Sequence, residues 1–317
     1  MSDEARDAGG FSPDWLSLRE PLDAASRDAA LGTTLAGLLA ASASRDSHQP
    51  DSRLRIIDLG AGTGSNLRYM APLLGGAQDW LLVEHDPVLR AAQAGCMRAW
   101  AGSSGLQAVA ADALAMASGT LPPAGEALVL SGPQFDCRLR GAALDLATQL
   151  EDLPLTTGAL VCASALLDLV SESWLRALAG RAEKAAVPVW FALTYDGRIE
   201  CEPAEPEDPR VRQLFNTHQR TDKGFGLALG PDAAWMADQV FTEHGYRTWS
   251  RRSDWNIGPG QRELQQALVD GWFEAASQIA GPDPALRDWL RRRLAHIETG
   301  RSRLLVGHVD LAGWPAG

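Results

Sequence analysis

Residues 56 to 64 form an apolar strand that runs directly into three closely spaced glycines, and this segment constrains the fold most strongly. It reads Ile-Ile-Asp-Leu-Gly-Ala-Gly-Thr-Gly, with Asp58 two residues before Gly60 and with Gly62 and Gly64 after it. Closely spaced glycines at the end of a strand let the backbone approach a ligand where any Cβ would collide, and the helix that follows offers unpaired N–H groups. The segment therefore predicts a nucleotide-binding turn in an α/β fold. Its G-x-G-x-G spacing and its Asp58 differ from the G-x-G-x-x-G turn of dinucleotide-binding folds.

A second apolar strand ends in an acidic residue at the expected distance from the glycines. Residues 79 to 86 read Asp-Trp-Leu-Leu-Val-Glu-His-Asp, and Glu84 lies 20 residues beyond Gly64 (84 − 64 = 20). A carboxylate at this position can accept hydrogen bonds from both hydroxyls of a ribose. Pro87 suits the first turn of a helix, so we predict a unit of strand, glycine turn, helix, strand and acid.

This joint pattern resembles the class I S-adenosylmethionine-dependent methyltransferases, over roughly residues 54 to 197. The stretch at 214–226, with Thr194-Tyr-Asp-Gly-Arg before it, resembles a bacterial branch of that family. The resemblance implies that the turn from Asp58 to Gly64 holds the methionine part of S-adenosylmethionine and that Glu84 binds its ribose. A competing interpretation is a doubly wound domain whose glycines only allow tight packing of strand on helix. The cofactor-binding residues that we expect are Asp58, Gly60, Ala61, Gly62, Gly64, Asn66, Glu84, His85, Asp145, Leu146 and Ser164.

The elements that follow extend this unit to a complete fold. Strand four is expected at 158–166, a helix capped by Ser171 comes next, and strands five and six are expected at 187–194 and 246–257. Strand seven is expected at 304–311 and, as the resemblance implies, antiparallel to the rest. We therefore predict an α/β fold with a doubly wound, Rossmann-like, seven-stranded sheet.

The chain is expected to divide into a helical N-terminal preamble or lid at 1–53 and a methyltransferase domain at 54–317. Substrate-side insertions are expected at about 102–136, 198–230 and 258–300. In the resembling family such a preamble often closes over the cofactor, whereas a solvated helix face is the commoner reason for charged residues. The charged residues concerned are Arg19, Asp23 and Arg27.

The third strand is the least defined part of the predicted sheet. Residues 102–136 mix an Ala-rich segment with Gly and Pro, which predicts an insertion with a short helix of its own. Two acids compete for contact with the adenine, Asp112 and Asp145. Asp145 is preferred because a short connection joins it to the apolar strand at 158–166.

Charge and composition limit the partners of the chain. A net charge of −11 repels phosphate backbones, so we expect no nucleic acid as substrate and favour small polar molecules. No run approaches the ~18 apolar residues of a membrane helix, and the N-terminus lacks a basic start followed by an apolar stretch. The four cysteines show no C-x-x-C pair and no metal-ligand spacing. We expect a cytoplasmic monomer or homodimer with no membrane partner.

The segment 214–226 is the richest in reactive side chains. It follows a connector at 198–210 that holds acids and three prolines, and it is expected to be a loop above the carboxyl edge of the sheet. His218 is the first candidate for a general base, because an imidazole titrates near neutral pH. Its helpers are Asp222 and Tyr195. The expected substrate-binding residues are Asn216, Gln219, Arg220, Lys223 and Asp196.

These observations favour an S-adenosylmethionine-dependent methyltransferase that methylates O or N of a small polar metabolite by in-line transfer. A sulfonium methyl is already an activated electrophile, so no metal is required. One alternative is a non-catalytic methyltransferase-fold protein that binds the cofactor or a partner as a regulatory module. A less favoured alternative is an NAD-dependent oxidoreductase.

Overall fold

The computed structural model describes residues 11–45, 53–112, 121–122 and 124–316. A single mixed sheet of ten strands runs through this part of the chain. The strands are β1 Leu54–Leu59, β2 Gly76–Val83, β3 Gln107–Ala111, β4 Ala127–Ser131, β5 Phe135–Ala142, β6 Ala159–Ser164, β7 Val189–Glu202, β8 Tyr246–Arg252, β9 Trp255–Ile257 and β10 Arg303–Pro315. The helices are α1 Pro13–Ser26, α2 Ala29–Arg45, α3 Ser65–Leu74, α4 Pro87–Ser103, α5 Glu172–Ala185, α6 Asp208–Gln219, α7 Ala233–Glu243, α8 Arg262–Ala280 and α9 Pro284–Glu298.

The sheet is doubly wound. Its strands lie in the order β3-β4-β5-β2-β1-β6-β7-β10-β8, and β9 pairs with β10. The five strands β5, β2, β1, β6 and β7 are parallel, and β10 is antiparallel to β7. The chain moves outward from β1 on one side and from β6 on the other, so the switch point of the sheet lies between β1 and β6. The predicted Rossmann-like sheet with an antiparallel last strand is confirmed, with ten strands in place of seven.

The extra strands have two origins. Strand six is broken, because β8 ends at Arg252 and β9 begins at Trp255. The hairpin of β3 and β4 is antiparallel and extends the sheet beyond β5, the third parallel strand. The predicted insertion at 102–136 thus contributes strands, and the part of it at 113–120 and 123 lies outside the described residues. The short helix predicted there is not found in the described part of the insertion.

Two helices precede β1, as the N-terminal pattern predicts. The Ser12 hydroxyl accepts a hydrogen bond from the Trp15 N–H and caps α1, and Pro13 occupies its first turn. The α2 helix packs against the sheet through Gly32, where a Cβ would lie 2.9 Å from the Trp190 ring. The division of the chain after residue 53 stays a prediction.

The segment 198–210, expected as a connector between strand five and the loop, consists largely of regular structure. Strand β7 continues to Glu202 because it pairs with β10 along its length, and α6 begins at Asp208. Residues 214–219, predicted as a loop, form the last part of α6. Helical turns satisfy their backbone groups, whereas a loop would leave them to solvent.

Helices α8 and α9 lie between β9 and β10, in the region where an insertion is expected at about 258–300. The α9 arginines pair with the acids that follow β7. Arg293 is fully buried and donates to Asp208 at 3.1 Å, and Arg292 donates to Glu205 at 2.6 Å. The acidic segment and the basic helix face therefore neutralise one another, and neither is a solvated charge run. No helix in the described ranges is long and apolar enough to cross a membrane.

Candidate functional site

The glycine turn lies at the switch point of the sheet and needs its glycines. Gly60, Gly62 and Gly64 have φ angles of +62°, +54° and +85°, values that L-residues with a Cβ rarely adopt. A Cβ at Gly62 would lie 2.9 Å from the Leu16 Cδ1 of α1. The N–H of Ala61 donates to the Val83 carbonyl at 2.9 Å and ties the turn to the end of β2. Helix α1 therefore lies directly over the turn.

Glu84 faces the glycine turn from the end of β2. One carboxylate oxygen accepts a hydrogen bond from the Gly62 N–H at 2.9 Å, and the other accepts one from the Asp86 N–H at 2.9 Å. These bonds fix the carboxylate, and each oxygen keeps a lone pair for a further donor. The neighbouring His85 is exposed, with its Nδ1 3.4 Å from Glu84. The geometry brings together the predicted turn and the predicted ribose acid.

Asp58 lies beneath the turn, at the end of β1. Its Oδ1 accepts a hydrogen bond from the Asn66 amide at 2.7 Å and a weak one from the Cys162 thiol at 3.6 Å. Its Oδ2 is buried and has no hydrogen-bond partner in the described chain. Burial raises the pKa of Asp58 to about 6. A buried carboxylate oxygen without a donor, below a turn that excludes side chains, fits a ligand that brings a donor of its own.

The N-terminal segment is anchored to this site by Arg27, which is buried. Its guanidinium donates to the Asn66 side-chain oxygen at 2.6 Å and to the Ser164 hydroxyl at 3.0 Å. It also lies over the Tyr69 ring, 4.5 Å from the ring centroid. Because Asn66 in turn holds Asp58, the predicted residues Asn66 and Ser164 form one network with the N-terminal segment. The interpretation of Arg27 as part of a solvated helix face is wrong.

The two candidate adenine-contact acids follow different strands of the sheet. Asp145 follows β5, whose last residue Ala142 accepts a hydrogen bond from the Glu84 N–H at 3.1 Å. The Asp145 carboxylate accepts a hydrogen bond from the Ala147 N–H at 3.0 Å. Leu146 beside it is buried, and its carbonyl accepts the Trp174 indole N–H. Asp112 follows β3, which lies beyond β4 and β5 as seen from β2. This placement favours Asp145, and the adenine contact itself stays a prediction.

His218 lies near the end of α6, beside α8. Its Nε2 is 2.8 Å from the Gln278 side-chain oxygen, and its Nδ1 is 3.4 Å from the Lys223 ammonium. Burial and the nearby Lys223 charge lower the pKa of His218, and burial also lowers the pKa of Lys223. The imidazole is therefore neutral at pH 7, with Nε2 donating to the Gln278 oxygen and Nδ1 facing the Lys223 ammonium. Asp222 is exposed and accepts the Gly224 and Gly226 N–H groups, so its carboxylate shapes the loop after α6.

The other predicted substrate residues split between two networks. Tyr195 is buried, its hydroxyl donates to Asn216 at 2.7 Å, and burial raises its pKa well above the usual value, so it acts as a donor. Asp196 is held by Arg198, which also donates to Asp254 at 2.9 Å. Two further predicted residues lie at the end of α6, where Gln219 ends the helix and Arg220 donates to Asp232 on the exposed surface.

A second group of buried polar residues lies under α1, and it joins Arg19 and Asp23, named above from the sequence, to Asp168 and to His308, which the sequence did not indicate. Asp168 does not cap α5, because the cap of that helix is Ser171. Asp168 is 8% exposed and His308 6% exposed, and Arg19 and Asp23 of α1 are equally buried. The signal in the sequence was the i, i+4 spacing of Arg19 and Asp23, which places these opposite charges on one face of α1. Charged residues on the inward face of a helix indicate a polar cavity below it.

Comparison with protein-family models and with curated proteins gives no match. Several solved structures are similar. Phosphoethanolamine N-methyltransferase 2 of Haemonchus contortus, in complex with phosphomonomethylethanolamine and S-adenosylhomocysteine, is 13% identical over 87% of this chain, with a TM-score of 0.38. This chain spans about half of that enzyme, 52% of its length. A cyclopropane-fatty-acyl-phospholipid synthase-like protein of Lactobacillus casei is 11% identical over 96% of this chain and 95% of its own, with a TM-score of 0.47.

A cyclopropane synthase of Mycobacterium tuberculosis is 10% identical over 87% of this chain and 83% of its own, with a TM-score of 0.37. Likenesses this distant do not bear on activity. The fold assignment rests on the strand order, on the antiparallel β10 and on the glycine turn at the switch point.

Proposed function

We propose that this protein is an S-adenosylmethionine-dependent methyltransferase that acts on a small polar molecule. The observation that carries the proposal is the pairing of the glycine turn with Glu84 at the switch point of the sheet. The Gly62 N–H fixes the Glu84 carboxylate at 2.9 Å, and the φ angle of +54° at Gly62 keeps side chains out of the turn.

The residues of the turn have the donors and acceptors that this cofactor needs. Glu84 is placed to accept the ribose hydroxyls, as the resemblance implies, and Asp145 follows the next strand outward for the adenine. The unpartnered Oδ2 of Asp58 offers an acceptor for an ammonium group beneath the turn. A dinucleotide would need a G-x-G-x-x-G turn, which the chain does not have at this place.

When bound, S-adenosylmethionine supplies a methyl group on a positively charged sulfur, which is already an electrophile. The protein then has to hold the acceptor atom in line, exclude water and remove one proton from a hydroxyl or ammonium acceptor. His218 is our candidate for the base, because its imidazole is neutral at pH 7. Tyr195 is a hydrogen-bond donor that orients Asn216. Asp222 fixes the loop after α6 by accepting hydrogen bonds from its backbone.

Four further residues, Asn216, Gln219, Arg220 and Lys223, would contact the acceptor if α6 and its loop close the site from one side. Asn216 is the best supported of them, because it joins Tyr195 to the Gly197 carbonyl at 3.0 Å. The excess of acidic side chains favours a small neutral or cationic acceptor over nucleic acid. A cytoplasmic monomer or homodimer belongs to the same proposal.

The test is isothermal titration of the purified protein with S-adenosylmethionine, S-adenosylhomocysteine and NAD in parallel. We expect micromolar dissociation constants for the first two ligands and none for NAD. The Glu84→Gln variant keeps the shape of the side chain and removes its charge, so it should weaken both sulfur ligands about tenfold to hundredfold. Glu172→Gln, an exposed acid on α5, is the matched control.

Each outcome decides between the candidates. Binding of S-adenosylhomocysteine that is insensitive to Glu84→Gln would remove the ribose assignment. Binding of NAD alone would favour the oxidoreductase. Binding of cofactor without methyl transfer to any amine, alcohol or acid in a mass-spectrometric screen would favour the non-catalytic module.

A further inference from the structure

A group of buried polar and aromatic side chains lies under α1. We call it the α1 chamber, and it consists of Arg19, Asp23, Asp168, Tyr195, Trp255 and His308, all of them at most 8% exposed. It adjoins the glycine turn on two sides. The Leu16 side chain contacts the Gly62 position, and Leu166, two residues before Asp168, lies 3.4 Å from where a Gly60 Cβ would be.

The lining residues contact one another in a chain. Arg19 donates to Asp23 at 2.8 Å and lies over the Trp255 ring, 5.1 Å from its centroid. The Trp255 ring is 4.9 Å from the His308 ring, and the His308 ring is 6.3 Å from that of Tyr195. Asp168 is close enough to Arg19 and to the Tyr195 N–H for both to stabilise its charged form. The six residues therefore form one connected group.

Polar atoms in this chamber have no partner in the described chain. Asp168 Oδ1, Asp23 Oδ1, His308 Nδ1 and Trp255 Nε1 are all buried without a hydrogen bond. An unpaired buried polar atom costs about 1–3 kcal/mol, and these four belong to residues of one connected group. Unsatisfied groups that converge on one space are typical of a binding site.

The charges in the chamber do not balance. Arg19 is paired with Asp23, and burial keeps His308 neutral by lowering its pKa to about 3. The Asp168 carboxylate then has no counter-ion of its own, since Arg19 already serves Asp23. A buried carboxylate with a free oxygen and two aromatic rings nearby matches a cation that has N–H donors.

We propose that the α1 chamber binds the methyl acceptor and that this acceptor is a small amine, whose ammonium group donates to the free Oδ1 of Asp168. This inference rests on the proposed methyltransferase function and adds the substrate class to it. The same cationic chemistry has a second source, the ammonium and sulfonium groups of the cofactor, and the two sources are separated as follows.

The experiment uses the full chain, the Asp168→Asn variant and two sets of matched probes. One set is propylamine, 1-propanol and propionate, and the other is benzylamine, benzyl alcohol and benzoate. Each probe is titrated at millimolar concentration at pH 7.5, with and without saturating S-adenosylhomocysteine. S-adenosylhomocysteine is titrated separately into both proteins.

For the native chain we expect one or both amines to bind and the neutral and anionic probes to bind at least tenfold more weakly. Asp168→Asn should lower the affinity for the amine about tenfold to hundredfold and change the affinity for S-adenosylhomocysteine less than threefold. Arg19→Met removes a positive charge from the same space and should tighten amine binding. The opposite signs of the two variants distinguish recognition of charge from loss of structure.

Four outcomes would overturn the inference. They are amines that bind no better than the alcohols, the absence of amine binding in the native chain, equal amine affinity in Asp168→Asn, and weaker amine binding in Arg19→Met. If Asp168→Asn or Arg19→Met instead weakens S-adenosylhomocysteine as much as Glu84→Gln does, the chamber serves the cofactor. Because the amines are also titrated without S-adenosylhomocysteine, failure of the cofactor to bind affects only the proposed function.

Discussion

The guanidinium of Arg27 donates a hydrogen bond of 2.6 Å to the side-chain oxygen of Asn66, and the amide nitrogen of Asn66 donates one of 2.7 Å to Asp58. This relationship joins the N-terminal segment to the acid beneath the glycine turn. The two arginine contacts, to Asn66 and to Ser164, are buried or partly buried, so their loss is costly.

Arg27→Met should therefore destabilise the protein by about 1–3 kcal/mol, because it leaves the buried Asn66 oxygen without a donor. Urea unfolding at pH 7.5 measures the change in the free energy of unfolding. Arg176→Met is the control, since Arg176 forms two exposed ion pairs and should cost less than about 1 kcal/mol. Equal losses in the two variants would contradict the structural role of Arg27.

Gly62→Ala should destabilise the fold by about 1–2 kcal/mol and abolish S-adenosylhomocysteine binding. The positive φ angle disfavours any Cβ, and the new methyl group would press on Leu16 at 2.9 Å. Gly95→Ala is the matched control, because a Cβ in the middle of α4 meets nothing within 4 Å and should stabilise by about 0.5–1 kcal/mol. Unfolding curves and titration of the ligand give both quantities. A Gly62→Ala protein that binds normally would exclude the turn as the cofactor site.

Asp168→Asn should stabilise the protein at pH 7 and not at pH 4. Burial raises the pKa of Asp168 from 3.8 to about 6, so the folded state binds a proton more readily than the unfolded state. As pH rises from about 4 to 6, this carboxyl loses its proton in the folded state and lowers the free energy of unfolding. Above pH 6 the destabilisation by the buried carboxylate is fully present. At pH 7 the free energy of unfolding of Asp168→Asn should exceed that of the native chain by up to about 3 kcal/mol.

The measurement is the difference in the free energy of unfolding between native chain and variant at several pH values. Asp58 carries a similar shift in both proteins, so its effect cancels from the difference. The exposed Asp288→Asn serves as control and should show little change at either pH. A stability difference that does not vary with pH would show that Asp168 titrates as an ordinary surface carboxyl.

His218→Gln should reduce kcat about 10²–10⁴-fold if His218 takes the acceptor proton, and it should leave S-adenosylhomocysteine affinity unchanged. Since burial and Lys223 lower the pKa of His218, the native activity should persist as pH falls below 6.5. The acid limb of the kcat profile should flatten in the variant. His244→Gln, which removes an imidazole paired with Glu183 on the surface, is the control. If kcat of His218→Gln equals that of the native chain, His218 does not remove the acceptor proton, and this region only orients the acceptor.

Much of the fold follows from local patterns in the sequence. The glycine turn, the acid after β2 and the helix cap at Ser171 are short-range signals, and each corresponds to an observed element. The long helices α8 and α9 were equally accessible, because their apolar spacing persists over several turns.

The errors arose where tertiary pairing outweighs local composition. Residues 198–202 are polar and precede several prolines, yet they form a strand because β10 supplies the backbone partners. The α1 chamber was missed for a similar reason. Asp168 and His308 are 140 residues apart in the chain (308 − 168 = 140), and only the sheet brings them to the same space.

The contact between Asp28 and Asp310 has a consequence for how the protein is assembled. The Asp28 N–H donates to the Asp310 carboxylate at 3.0 Å across 282 residues of sequence, and the same carboxylate holds the Leu193 N–H in β7 at 2.8 Å. Closure of so long a loop has to wait for the strands between its ends, since contacts of large sequence separation form slowly. Both contacts depend on the one Asp310 carboxylate, so the last strand of the sheet holds the start of α2 and the middle of β7 in register with one another.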